Sequence, residues 1–143
     1  MDWMLMPLRR YADFSGRSRR KEYWMFALMN FLFFMMIGIG FSIYTSYTVS
    51  AALRHESPSM FGFMGVFISF AMIYVLIMLV PSIAVQVRRF HDQDKSGWFV
   101  LLNFVPYIGG IVVLVFMCLE GTRGENRYGP DPKAEDMSYS QIP

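Results

Sequence analysis

Three long stretches of this chain carry no Asp, Glu, Lys or Arg, and that fact constrains the fold more than any other. They run from Tyr23 to Leu53, from Ser57 to Val87 and from Ser96 to Leu119. A helix at a protein surface needs a polar face for water, and these stretches lack one. The hydrocarbon core of a bilayer takes about 20 apolar residues per helix, and each stretch supplies them. Burial in a soluble core is the alternative, but a chain of 143 residues is too short to wrap three such helices. The chain therefore reads as an all-α polytopic membrane protein. It has three transmembrane helices, a polar and basic N-terminal segment and an irregular C-terminal tail. A single membrane domain is expected over 1–132, with spans at about 23–44, 61–85 and 98–119 and a disordered tail over 133–143.

Aromatic residues mark the ends of the first span, with Tyr23 and Trp24 on one side and Tyr44 and Tyr47 on the other, as suits the membrane–water interface. The run is too long for a cleaved signal peptide. Pro81 sits near the end of the second span and removes a backbone donor. The third span contains Asn103, Pro106, Gly109 and Gly110. Basic residues near span ends set orientation. Six lie before the first span, one in the first loop, three in the second loop and three in the tail. With three full spans, a cytoplasmic N-terminus and second loop place nine basic residues inside and four outside. The tail would then lie outside. The Pro106 to Gly110 stretch offers another path, in which the third segment turns back within the membrane and returns the tail to the cytoplasm. The single Cys118 excludes an internal disulfide.

The short polar segments hold the candidate chemistry. In the first, Phe14 to Trp24, Ser15 or Ser18 is a candidate helix cap. Arg17, Arg19, Arg20 and Lys21 place cations where the helix dipole favours acids, which points to an external anion such as a phospholipid headgroup. Arg20 and Trp24 are four apart, the spacing of a helical cation–π contact. The alternative reading is a basic anchor with no specific ligand. In the second segment, Arg88, His91 and Asp92 share one helix face. Asp92 can pair with an arginine or fix the tautomer of His91, whose titration near neutrality would suit acid–base work; an ion-pair cluster at a helix end is the plainer reading. His91, Asp92 and Asp94 are too few and too crowded for a closed metal site, so no metal or cofactor is expected. In the third segment, Glu120 to Pro132, glycines and prolines indicate a surface turn held by Asn and Asp side chains. Its glycines lack the spacing of a phosphate loop.

Taken in order, these segments resemble a known family. Gly16-Arg17 through Arg20 with Glu22-Tyr23-Trp24, then Pro81 with Arg88-Arg89-Phe90-His91-Asp92 and Ser96-Gly97-Trp98, then Gly121-Thr122 with Asn126-Arg127-Tyr128-Gly129-Pro130-Asp131-Pro132, are similar to the three motifs of the small bacterial inner-membrane group called domain of unknown function family 805. The similarity covers roughly residues 8 to 132. Phe90 stands where an aliphatic residue is usual, and Gln93-Asp94-Lys95 departs from the usual Thr-Gly-Arg turn. The resemblance implies a helical, multi-pass protein of the bacterial inner (plasma) membrane, and it implies no activity.

The expected role is a non-enzymatic membrane component, oligomeric or joined to a membrane protein partner, with no nucleic-acid partner. Arg17, Arg19, Arg20, Lys21, Trp24, Arg88, Arg89, His91 and Asp92 are its candidate contacts to anionic lipid or partner. A small channel or transporter subunit lined by Asn103, Ser69 and Ser82 is one alternative, and a membrane enzyme using His91 and Asp92 is another. No Asp, Glu, Lys or Arg lies deep in any span, which weighs against an ion-coupled transporter.

Overall fold

The two longest charge-free stretches each contribute one long helix in a computed structural model of the chain, which describes residues 2–54 and 60–134. The first is α2, Arg20–Leu53, and the second is α3, Met60–Asp92, which runs on through Pro81. Both are long and apolar enough to cross a membrane. A short helix, α1, Asp2–Arg9, precedes them. Sequence reading treated residues 1 to 22 only as a polar basic segment. Eight residues containing a proline are below the length at which a helix declares itself in isolation. Two further short helices follow α3: a 3-10 helix, Gly97–Phe104, and α4, Gly109–Cys118. The disorder expected for 133–143 falls, from residue 135 onward, outside the described residues.

The chain divides into two compact units. One unit, Leu28–Leu79, contains the middle portions of α2 and α3. Their rings pair in descending order: Phe33 stacks on Tyr74 at 3.6 Å, Phe41 meets Phe67 at 6.0 Å and Tyr44 meets Phe63 at 5.0 Å. Residue numbers rise on α2 as they fall on α3, so the two helices are antiparallel. In lipid the hydrophobic effect does not drive helices together, and close packing with occasional polar bonds takes its place. Tyr74 donates such a bond to Asn30 Oδ1 at 3.0 Å.

The other unit joins Met1–Ala27 to Val80–Pro143. Its apolar core is Phe90, Val113 and Met117, flanked by Tyr23, Val100, Leu102 and Phe116. Gly109, Val113 and Met117 recur every four residues and form the buried stripe of α4. Phe90, the departure from the usual aliphatic residue, is buried with its ring 5.7 Å from Phe116 and 5.9 Å from Phe99.

The third charge-free stretch differs from the continuous helix expected over 98–119. Ser96 accepts a bond from the Trp98 N–H and starts the 3-10 helix. Pro106 lacks an N–H, Tyr107 takes a φ of 67°, and the chain reverses there. The reversal keeps its own backbone groups bonded: Val105 N to Leu102 O at 3.0 Å, Ile108 N to Pro106 O at 2.8 Å and Gly109 N to Val105 O at 3.0 Å. Gly109 is the residue that lets α4 fold back, since a Cβ there would collide with the Leu102 carbonyl oxygen and lie 3.1 Å from the Val105 Cβ. Both ends of the stretch return to the same place. Gln93 Nε2 donates to Phe116 O at 2.6 Å, and Thr122 N donates to Asp92 O at 2.8 Å.

Gly109→Ala is expected to destabilise the detergent-solubilised protein by about 1–3 kcal/mol, the usual cost of overpacking, read as a lower unfolding temperature. Gly110→Ala, where a Cβ meets nothing within 4 Å, should be silent. Equal effects at the two positions would remove the packed reversal from the account.

Candidate functional site

The unit that joins residues 1–27 to 80–143 brings the three polar motifs together around buried charge. Arg88 and Arg89, at the end of α3, are both 0% exposed, and Asp92 is 4% exposed. Burying ions costs several kcal/mol each unless pairs and further hydrogen bonds restore what water supplied. The chain meets that cost with two clusters. In one, Asp92 Oδ1 accepts from Arg17 Nε at 2.9 Å and Oδ2 accepts from Arg89. In the other, Glu22 Oε1 accepts from Arg88 NH2 at 3.0 Å. Burial lowers the pKa of Arg88 and Arg89, and Glu22 and Asp92 respectively oppose that shift. A guanidinium stays protonated under such pressure.

Backbone carbonyls add acceptors to both clusters, while Arg88 Nε and Arg89 Nε are left without a partner among the described residues. Arg17 reaches the tail, donating NH1 to Gly124 O at 2.6 Å and NH2 to Thr122 O at 2.5 Å, with Gly129 O at 3.4 Å. Arg89 donates to Leu119 O, Arg88 donates to Asp13 O, and Ser18 N donates to Arg88 O at 3.1 Å. The planar fork of arginine suits this multidentate work better than lysine would. Gly121 permits the close approach, because a Cβ there would strike the Asp92 carboxylate.

The central and third motifs interlock beside this node. Asn126 Nδ2 donates to His91 O and to Thr122 Oγ1, both at 2.9 Å, and Thr122 Oγ1 donates to Asp92 O at 3.1 Å. The His91 ring stacks on Tyr128 at 3.8 Å, and its Nδ1 faces Gly16 O at 3.3 Å. Burial pushes the His91 pKa below its ordinary value, against the pull of the Gly16 carbonyl. Arg127 Nε bonds Asp94 Oδ1 at 2.9 Å, and that bond holds the Asp94 carboxyl below the usual carboxylate range. The tail turn is held by its own polar side chains: Asn126 Oδ1 accepts from Tyr128 N at 2.9 Å, and Asp131 accepts from Gly124 N at 3.0 Å and Lys133 N at 2.9 Å.

The sequence-expected contact residues therefore divide. Arg17, Arg88, Arg89 and Asp92 face inward and bond protein groups. His91 lies half-buried under Tyr128. Arg19 donates to Pro132 O, and Arg20 Nε donates to Leu119 O at 2.8 Å with Glu120 at 3.7 Å. Lys21 is exposed, as is Trp24, which meets Tyr23 edge-on at 5.4 Å. The helix cap expected of Ser15 or Ser18 does not form in this way: Ser15 turns back to Asp13, and the Ser18 hydroxyl finds no partner among the described residues. Asp92 pairs with Arg89 and Arg17 rather than with His91, so the acid–base dyad of the enzyme reading is not assembled. Asn103 Nδ2 donates to Gln86 Oε1 and Val100 O, both at 2.8 Å. No group of three or more His, Cys, Asp or Glu suited to a metal occurs among the described residues. Sequence reading missed Asp13, Gln93, Gly121 and Tyr128 as partners. Asp13 lies three residues from Arg10, a spacing that signals their pair, whereas the Asp13 carbonyl, Gln93, Gly121 and Tyr128 meet their partners across separations that only the tertiary fold closes.

The chain is similar in sequence to known proteins. The family model described as "Protein of unknown function (DUF805)" matches residues 11–130. The inner membrane protein YhaH of Escherichia coli (strain K12) is 42% identical over 135 residues, 94% of this chain and 99% of that protein. The inner membrane protein YhaI of the same strain is 44% identical over 133 residues, 93% of this chain and 97% of that protein. No solved structure matches the chain. The chain belongs to the DUF805 family and is an integral inner-membrane protein.

Asp92→Asn keeps the shape of the side chain but leaves two buried guanidinia without their carboxylate. A loss of about 3–5 kcal/mol is expected, the usual cost of removing one partner of a buried pair, seen as a large drop in the unfolding temperature in detergent. A shift no larger than that of an ordinary surface substitution, within about 0.5 kcal/mol, would show that Asp92 does not hold the node together.

Proposed function

We propose that this DUF805 protein is a non-enzymatic membrane component whose folded polar cap rests on the cytoplasmic face of the inner membrane and binds anionic phospholipid headgroups there. The observation that carries the reading is the division of the cationic residues. Arg17, Arg88 and Arg89 are spent inside the cap, whereas Lys21 is exposed and Trp24, 42% exposed, borders it at the start of an apolar helix. A cation beside an amphipathic ring at the mouth of a span is the arrangement that meets a headgroup layer.

In this reading α2 and α3 cross the bilayer and the third apolar stretch enters and returns. The 3-10 helix of 8 residues, at about 2.0 Å per residue, gives an arm of roughly 16 Å. Helix α4, with 10 residues, gives about 15 Å. Each is about half of a hydrocarbon core that is about 30 Å thick. Charge supports the same topology. Of 13 Lys and Arg residues, only Arg54 lies in the loop between α2 and α3. The other twelve share one side, a sharper asymmetry than three full spans would allow, and basic residues favour the cytoplasm. The N-terminus and tail are then both cytoplasmic. Asp92 and His91 hold the cap together rather than act on a substrate.

Arg20→Gln with Lys21→Gln should weaken the preference for anionic lipid while leaving the fold intact. Each charge near an anionic leaflet contributes about 1 kcal/mol. With two charges removed, the ratio of phosphatidylglycerol to phosphatidylcholine retained after extraction from mixed vesicles should therefore fall roughly thirtyfold. An unchanged ratio in a folded double variant would overturn the reading.

A further inference from the structure

The cap contains a cavity that its own packing does not account for. It has a volume of about 370 Å³ and is lined by Arg10, Arg17 and Arg19 with Glu22, by Met6 of α1, and by Asp131, Pro132 and Ala134 of the tail. That volume lies within the range of small-molecule sites. We propose that this cavity is a binding site for one phosphate-bearing group, supplied either by an anionic phospholipid headgroup or by a soluble phosphate. The proposal rests on the lipid reading for the first of these sources and deepens it from a general surface attraction to a site of defined stoichiometry.

Three guanidinia face two carboxylates around the cavity, and both carboxylates are already occupied. Glu22 accepts from Arg88, and Asp131 accepts from the backbone N–H groups of Gly124 and Lys133. Counted with the ion-pair partners of its lining, the cavity is surrounded by five guanidinia (Arg10, Arg17, Arg19, Arg88 and Arg89) against four carboxylates (Asp13, Glu22, Asp92 and Asp131), an excess of one cation. Arg10 is the adaptable member. It holds Asp13 at 2.7 Å, but the side chains are 35% and 38% exposed, and such exposed pairs are weak. A phosphate can take its place beside that pair at small cost. Arg19 sits at the rim, where it donates to Pro132 O. Arg17, with its donors turned to the tail carbonyls, supplies fixed positive potential from within. Guanidinium groups match the oxygen spacing of a phosphate and bind it with paired, charge-assisted bonds. Met6 and Pro132 add an apolar wall that a bare ion does not need and an esterified headgroup can cover. Arg10 and Met6 precede α2 and Pro132 and Ala134 close the tail, so an occupant would bridge the two ends of the cap.

The test is binding to the full chain in a neutral detergent, titrated separately with phosphatidylglycerol and with inorganic phosphate. The variants are Ala134→Phe, which fills the rim and keeps every charge, and Arg10→Met, which keeps the stem at a half-exposed position. Arg54→Gln, exposed in the loop between α2 and α3, is the surface control. One phosphatidylglycerol per chain is expected, weakened tenfold or more by Ala134→Phe and by Arg10→Met and less than threefold by Arg54→Gln. If inorganic phosphate binds and phosphatidylglycerol does not, with the same loss in the two cavity variants, the site stands with a soluble occupant and the lipid source fails. If Ala134→Phe does not fold, Arg10→Met decides alone. Wild-type affinity for both probes in the folded cavity variants, or no binding of either probe to the unaltered protein, overturns the site. The surface reading survives that result if the Arg20 and Lys21 variants still lose their preference for anionic lipid.

Discussion

One carboxylate gripped by two guanidinia organises this protein. Asp92 ends α3, Arg89 lies one turn before it, and Arg17 comes from the segment that leads into α2. With the ions 6% exposed or less, little water reaches them, so their partners must come from the chain. Asp92 alone cannot satisfy Arg17. The Thr122, Gly124 and Gly129 carbonyls therefore have to come to it, and that requirement folds an irregular tail into a defined shape. The same argument ties Arg88 to Glu22 and to the Asp13 carbonyl. Buried charge is a poor source of net stability. Its effect here is to allow very few arrangements of the three polar segments, because any other leaves a buried guanidinium bare.

The node also bears on the apolar part of the chain. Once the residues just after the third stretch are bonded to Asp92, both ends of that stretch are fixed at the end of α3. A reversal inside it becomes obligatory, and Pro106, Tyr107 and Gly109 supply the geometry. Bare backbone polar groups are costly in lipid, and the bonds among Leu102, Val105, Pro106, Ile108 and Gly109 keep the reversal satisfied within itself. Tyr107, 96% exposed at the tip, presents a ring with a polar end to whatever surrounds the turn. The aromatic pairs of Leu28–Leu79 are a separate device, in which ring stacking and one Tyr74–Asn30 bond hold two helices that carry no charge to steer them.

Much of this was legible in the sequence. Charge-free length pointed to three membrane helices, of which two stand as helices long enough to cross and the third is a shorter apolar stretch, and the order of the three polar motifs pointed to the family. The turn within the third stretch was visible at Pro106 to Gly110, but residue count favoured a full span, because composition is the same whether a stretch crosses or returns. The role of the arginines was hidden more deeply. Arg17 and Lys21 look alike in a run of basic residues, yet one is enclosed by tail carbonyls and the other is exposed. Only the long-range pairing with Asp92, 75 residues away, separates them, and no local periodicity encodes that distance. His91 beside Asp92 looked like a dyad for the same reason. Adjacency in sequence on a helix end says little about which way each ring or carboxylate turns.

The central claim is that all three polar motifs lie on one side of the membrane in a single cap. Single cysteines at Lys21, Arg54 and Glu125, each in a Cys118→Ser background, would be tested with a membrane-impermeant thiol reagent in intact spheroplasts and again after lysis. Arg54→Cys should react in intact spheroplasts, and Lys21→Cys and Glu125→Cys only after lysis. Reaction of Glu125→Cys in intact spheroplasts while Lys21→Cys stays protected would put the tail across the membrane from the N-terminal segment, and the shared cap could not exist.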